Sequence, residues 1–142
     1  ARSKKPSKKI LKLAYLGVPP IMNDLYSYIE ERGAKVVFNE VQREFAFPRH
    51  AKAKNIFEQY LNYTYPYGIE FRIKNLEKDL ADRDVQGIIH YTQKFCHRAL
   101  DNIVLKEKLP YPLLNIEADR EAVLDERTKL RLDAFIDMLG DM

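Results

Sequence analysis

Short apolar runs take turns with amphipathic stretches from residue 10 almost to the last residue, and this alternation constrains the fold more than any other feature of the chain. "ILKLAYLG" (10–17) reads as a strand, and the prolines of "VPP" open the helix "IMNDLYSYIEERG" (21–33), where a missing N–H is no loss in a first turn. Ile21, Leu25, Tyr28 and Ile29 form its inward face, and Gly33 ends it. "AKVVFNE" (34–40) is a second strand, "VQREFAFPRH" (41–50) a loop, and "AKAKNIFEQYLNYTYPYG" (51–68) a helix fading into a tyrosine-rich turn. A third helix spans 69–84, with Phe71, Ile73, Leu76 and Leu80 as its stripe. "VQGIIHYT" (85–92) is the third strand, "FCHRALDNIVLKEKL" (95–109) the fourth helix, "YPLLNIEAD" (111–119) the fourth strand and "AVLDERTKLRLDAFIDML" (122–139) the fifth helix.

Strands separated by helices join through right-handed crossovers into a parallel sheet, and mostly apolar strands are those covered on both faces. The expectation is therefore a three-layer, doubly wound α/β fold, flavodoxin- or Rossmann-like, with four parallel strands in the order 2-1-3-4. Ligands of such sheets gather at the carboxyl ends of the strands, beside the switch point between strands one and three. Four segments converge there: Gly17 to Pro20, Asn39 to Arg43, Tyr91 to Cys96 and Glu117 to Arg120.

Composition narrows the function classes. A chain of 142 residues is one domain's worth, and no run of about eighteen apolar residues is present to form a membrane span. The net charge of +3 depends on Arg2, Lys4, Lys5, Lys8 and Lys9; without them it turns negative, so residues 10–142 are not a basic nucleic-acid platform. Residues 1–9 read as a basic linker, and 10–142 as a single α/β domain, the carboxyl-terminal part of a longer protein. With no apolar stretch after the basic start and a single cysteine, Cys96, a reducing cytoplasmic setting is expected.

Cys96 falls on the ligand rim, in the first turn of the fourth helix, where unpaired N–H groups and the helix dipole favour negative charge. Three readings compete for it. A lone cysteine often packs as a small buried hydrophobe. A nucleophile needs a base within reach, and the adjacent His97 projects elsewhere on a helix. A metal ligand needs companions, and His90 sits in an apolar strand as a hydrogen-bonded core residue would. No GxGxxG, P-loop or CxxC is present, and no glycine-rich phosphate loop follows the first strand, so dinucleotide, nucleotide, flavin and thioredoxin-type readings lack their motifs.

The segment "GIIHYTQKFCHRALDNIVLKEKLPYPLLNIEADR", followed by "RTKLRLDAFIDML", resembles the carboxyl-terminal domain of the 2-hydroxyacyl-CoA dehydratase family, which includes benzoyl-CoA reductase subunits. "KFC" after an apolar strand, the pattern P-x-L-x-x-E-x-D and the helix R-x-x-L-R-L-x-A-F occur in the family's order, and "YLGVPPIMNDLYSYIEERGAKVVFNE" is like that domain's first βαβ unit. The resemblance implies an iron-sulfur enzyme subunit whose [4Fe-4S] cluster is held by three cysteines, with Cys96 as the matching one. It also implies an amino-terminal domain, a homologous partner subunit, an ATP-dependent activator that delivers one electron, and an acyl-CoA substrate. Many members carry a further cysteine after the second strand, where this chain reads "NEVQREFAFPR". One thiolate cannot hold a cluster, so the other ligands are expected outside this chain.

In that frame Gln42, Gln93 and Asn39 are candidates to hydrogen-bond cluster sulfides or a thioester carbonyl, and Arg43, Lys94 and Arg98 to meet CoA phosphates. Glu117 and Asp119 are candidates for proton transfer, Asp119 alternatively for capping the fifth helix. Phe45, Phe47, Tyr63 and Tyr65 are expected to form an exposed patch facing a partner. The alternative function is a noncatalytic interaction or regulatory domain that kept the fold after losing the complete cluster site.

Overall fold

A computed structural model describes residues 10–46, 52–61 and 68–142. The strands are β1 (Leu11–Gly17), β2 (Ala34–Asn39), β3 (Gly87–Gln93) and β4 (Leu113–Ala118). They form one sheet in the order β2-β1-β3-β4, every pairing parallel. The helices are α1 (Leu25–Glu31), α2 (Glu40–Phe45), α3 (Ile56–Leu61), α4 (Ile69–Ala81), α5 (Asp101–Lys108) and α6 (Glu126–Gly140), with a 3-10 turn at His97–Leu100. The expected fold class and strand order are thus the observed ones.

Alternation along the strands divides the interior into two cores. Leu13, Tyr15, Ile89, Tyr91 and Ile116 face Leu25 and Ile29 of α1 and Leu132, Ile136 and Leu139 of α6. Ala14, Leu16, Phe38 and Ile88 face Leu76 and Leu80 of α4 and Leu105 of α5. Each such Leu or Ile removed from water contributes about 1.5–3 kcal/mol. Gly87 lets α6 approach β3 closely, because a Cβ there would lie 2.5 Å from Leu139 Cδ1.

Several boundaries differ from the sequence expectation. Residues 41–45 are helical rather than a loop, and Glu40 opens that helix instead of ending the second strand, because the Asn39 side chain caps it, accepting from Gln42 N at 3.1 Å. The α1 helix begins four residues late, after the diproline turn, so Ile21 is exposed and Met22 is buried in its place. On α4, Leu76 and Leu80 point inward as expected, but Phe71 lies at the surface and Arg72 is buried. The last helix starts at Glu126, where Asp125 accepts from Thr128 N at 2.8 Å. Phe45 is exposed, as the partner-facing patch requires; Phe47, Tyr63 and Tyr65 lie outside the described residues, as does the expected linker 1–9.

Candidate functional site

Beneath the carboxyl ends of β1 and β3 lies a buried set of charged and polar side chains. Arg72, 3% exposed, reaches in from α4 and donates from Nε to Glu40 Oε1 at 2.7 Å and from Nη2 to Glu40 Oε2 at 2.6 Å. Its Nη1 donates to Asp101 Oδ2 at 2.8 Å, at the start of α5. Glu40 also accepts from Gly17 N at 3.1 Å, which ties the end of β1 to the start of α2. Gly17 itself has φ +97°, and a Cβ there would sit 2.0 Å from the Tyr91 carbonyl oxygen, so only glycine lets β1 turn this close to β3. A two-pronged guanidinium–carboxylate contact is the strong form of an ion pair, and the low local dielectric demands that every member be satisfied.

His90 completes the set. It is fully buried on β3, with Nε2 3.5 Å from Arg72 Nη2 and Nδ1 3.4 Å from Asn102 Oδ1. A guanidinium has only donors, so Nε2 must be the unprotonated nitrogen and Nδ1–H faces the Asn102 oxygen. Burial first, and then the Arg72 charge, lowers the His90 pKa to about 4. For Glu40, burial alone raises the pKa, but the Arg72 hydrogen bonds and charge, with the Gly17 N–H, outweigh it and hold the carboxyl below its ordinary range. The hydrogen-bonded core position expected for His90 is the one it has here.

Cys96 follows a tight turn in which its N–H donates to Gln93 O at 3.0 Å and Phe95 takes φ +64°. This backbone is left-handed, costly for an aromatic residue, and it leaves the Phe95 side chain 96% exposed. Cys96 is therefore not in the first turn of an α-helix. It is the extended residue before a 3-10 turn, with φ −70° and ψ 127°, and α5 begins only at Asp101, so the expected help from a helix dipole is missing. The half-buried thiol lines a small recess with Gly17, Val18, Arg72, His90, Thr92 and Arg98.

The other rim residues divide among separate places. Lys94, Glu117 and Asp119 come together in a polar groove of about 400 Å³ with Arg127 and Arg131, beside the end of β4. Asp119 does not cap the last helix; Asp125 does, because the chain makes a further turn in which Glu121 accepts from Asp119 N and Arg120 N. Asn39 and Gln42 line a shallow depression by α1, and Asn39 is engaged by Tyr26 and the α2 cap. Arg43 turns away to Asp79 Oδ2 at 2.6 Å and Glu44 Oε1 at 3.1 Å. Arg98 is beside Cys96, with Nη1 3.4 Å from Asp101 Oδ2; Gln93 is exposed just before the turn.

The family model for the 2-hydroxyglutaryl-CoA dehydratase D-component matches residues 1–139. The chain belongs to this family. No curated protein matches it. Full-length D-component relatives are known for iron-sulfur clusters, and membership implies a partner subunit or domain in the dehydratase complex. The residues of this D-component chain do not by themselves fit a cluster: Cys96 is its single thiol, and no group of three His, Cys, Asp or Glu among the described residues could hold a metal ion. Nor, among the described residues, is any helix long and apolar enough to cross a membrane.

Reasoning from the sequence assigned no functional role to Glu40, Arg72, Thr92, Asp101 or Asn102, although one signal was available for the buried ion pair. Gly68 caps α4, and Ile69, Arg72, Leu76 and Leu80 follow at helical spacing, so Arg72 occupies a core-facing position of that helix. A cation there requires a buried anion in reach, and in the fold Glu40, thirty-two positions away at the end of an apolar strand, supplies it.

Proposed function

We propose that this chain is the carboxyl-terminal domain of a 2-hydroxyacyl-CoA dehydratase-like subunit and that Cys96 supplies one thiolate to a cluster whose remaining ligands come from outside it. The observation that carries the reading is the position of Cys96: half-buried, on the switch-point rim of a doubly wound sheet, within a family match that spans nearly the whole chain. In this reading the groove by β4 receives the acyl-CoA. Lys94 meets its phosphates there and Glu117 and Asp119 exchange protons with the acyl part, while Arg98, in the Cys96 recess, and Gln93, just before its turn, border the thioester end; Gln42, in the depression by α1, lies apart from them. Arg43, already held by Asp79 and Glu44, is the least available of the three cations. The reaction is removal of water from a 2-hydroxyacyl-CoA, or the related reduction of an acyl-CoA, with an ATP-dependent activator as the electron source and a homologous subunit as partner in a cytoplasmic setting.

Cys96→Ser in the full-length parent protein tests this. Serine preserves size while replacing a soft thiolate by a poor iron ligand. Cluster absorbance and dehydratase or reductase activity are expected to fall together, with the fold intact. Full cluster content in the variant would remove Cys96 from the site. The lone thiol also favours a second reading, a noncatalytic domain that has lost the site. A parent protein that binds no cluster and turns over no acyl-CoA with Cys96 intact would establish it.

A further inference from the structure

The α3 helix presents its apolar side to solvent. Its start is set locally: the Asn55 side chain accepts from Glu58 N at 3.0 Å, and the Glu58 carboxylate accepts from Lys54 N at 2.7 Å. Ile56, Phe57, Tyr60 and Leu61 share one stripe, spaced i, i+1, i+4, i+5, and each is between 57% and 82% exposed. Glu58 and Gln59, on the other side of the helix, are the partly covered residues, and no residue of α3 is buried. A surface helix normally turns its apolar stripe inward, so this reversed one is a face made to be covered.

We propose that two copies of this chain associate through α3 as an antiparallel, two-fold pair. Self-complementarity is the first ground. The helix reads aliphatic, aromatic, polar, polar, aromatic, aliphatic, from Ile56 through to Leu61, and so has the same pattern in either direction. A two-fold axis through its midpoint sets Phe57 of one copy level with Tyr60 of the other, and Ile56 level with Leu61. Aromatic rings then meet at the centre with aliphatic side chains beside them, no charge lies in the seam, and the two helix dipoles run in opposite directions. Area is the second ground. The stripe offers on the order of 500 Å² per copy, so a pair covers about 1,000 Å², the size at which specific interfaces begin. An interface of that size is weak and reversible. The pairing is independent of the proposed role of Cys96 and of the dehydratase reading.

Sedimentation equilibrium of the purified chain tests it, in a reducing buffer that excludes a disulfide through Cys96. The mass should rise from one chain to two between about 1 and 300 µM and stop at two, as suits a small apolar interface. Phe57→Lys and Tyr60→Glu each put a charge into the seam, and each should weaken self-association about tenfold or more. Both positions are exposed, so the urea midpoint at a concentration where the original chain is monomeric should stay unchanged. Mixed in equal amounts, the two variants should pair with each other, because the introduced charges are opposite and lie level across the axis. A chain that stays monomeric throughout, or that grows past two copies, would overturn the proposal. So would variants that associate as well as the original, a mixture that fails to restore the pair, or a lowered urea midpoint, which would place these side chains in the domain's own packing.

Discussion

His90 and Arg72 show how much of this domain's behaviour is set by single buried residues. His90 is held neutral, its pKa lowered from 6.5 to about 4, chiefly by burial and then by Arg72. The groups facing it are Arg72, Glu40, Asp101 and Asn102. In the unfolded chain the imidazole takes up a proton as pH falls below 6.5, whereas the native state resists until about 4. The unfolded state binds more protons in that window, so stability declines as pH falls through it and is fully present above it. The decline should reach about 3 kcal/mol, measured by urea unfolding at a series of pH values, and His90→Gln should flatten it. Glu40, whose carboxyl is held below its ordinary range, adds loss of the same sign only under more acidic conditions. Arg72→Met leaves Glu40 buried without its cation and is expected to cost about 3–5 kcal/mol, read as a lower urea midpoint with an unchanged slope. A loss below about 1 kcal/mol would mean that Glu40 finds water or another donor.

At the scale of elements, the turn between β3 and the 3-10 segment is where local preference and observed structure conflict most. Phe95 occupies left-handed backbone with its ring in solvent, so it neither suits the turn nor packs in the domain. Phe95→Gly should raise the stability of the chain by about 0.5–1 kcal/mol, since glycine adopts this backbone without a Cβ clash. Thermal or urea unfolding reads it directly, and a loss of stability would show that the ring packs after all. The sequence made the strands and their order plain, because β1 to β4 are apolar runs separated by periodic helices. It did not reveal α2, whose formation depends on the Asn39 cap and on burial of Glu40 by a residue thirty-two positions away. It placed Cys96 in an α-helix because nothing in "QKFCHR" announces a left-handed phenylalanine. The switch-point rule brought Cys96 to the carboxyl edge of the sheet, but it gathered Lys94, Glu117 and Asp119 there as well, and these lie in a separate groove beside β4; the Arg72 set depended on tertiary pairing that periodicity does not encode.

For the molecule as a whole, the fold is held without any contribution from the rim chemistry. Two apolar cores cover the two faces of the sheet, and the Glu40–Arg72–Asp101 set joins α2, α4 and α5 under its carboxyl edge. Cys96 belongs to neither core and stands half-buried at the opening. A structural metal site makes folding depend on metal, since the ligands are brought together only when the ion binds. Among the described residues no set of three ligands comes together, while two apolar cores do, so folding and metal binding should separate. The chain purified anaerobically should be folded and colourless, its melting temperature indifferent to a chelator and moved by no more than a few degrees in Cys96→Ser. Iron and acid-labile sulfide are expected far below one cluster per chain. A brown protein carrying a full cluster per chain, and unfolding when the iron is removed, would mean that residues beyond those described complete the site within this domain or that several copies of the chain share it.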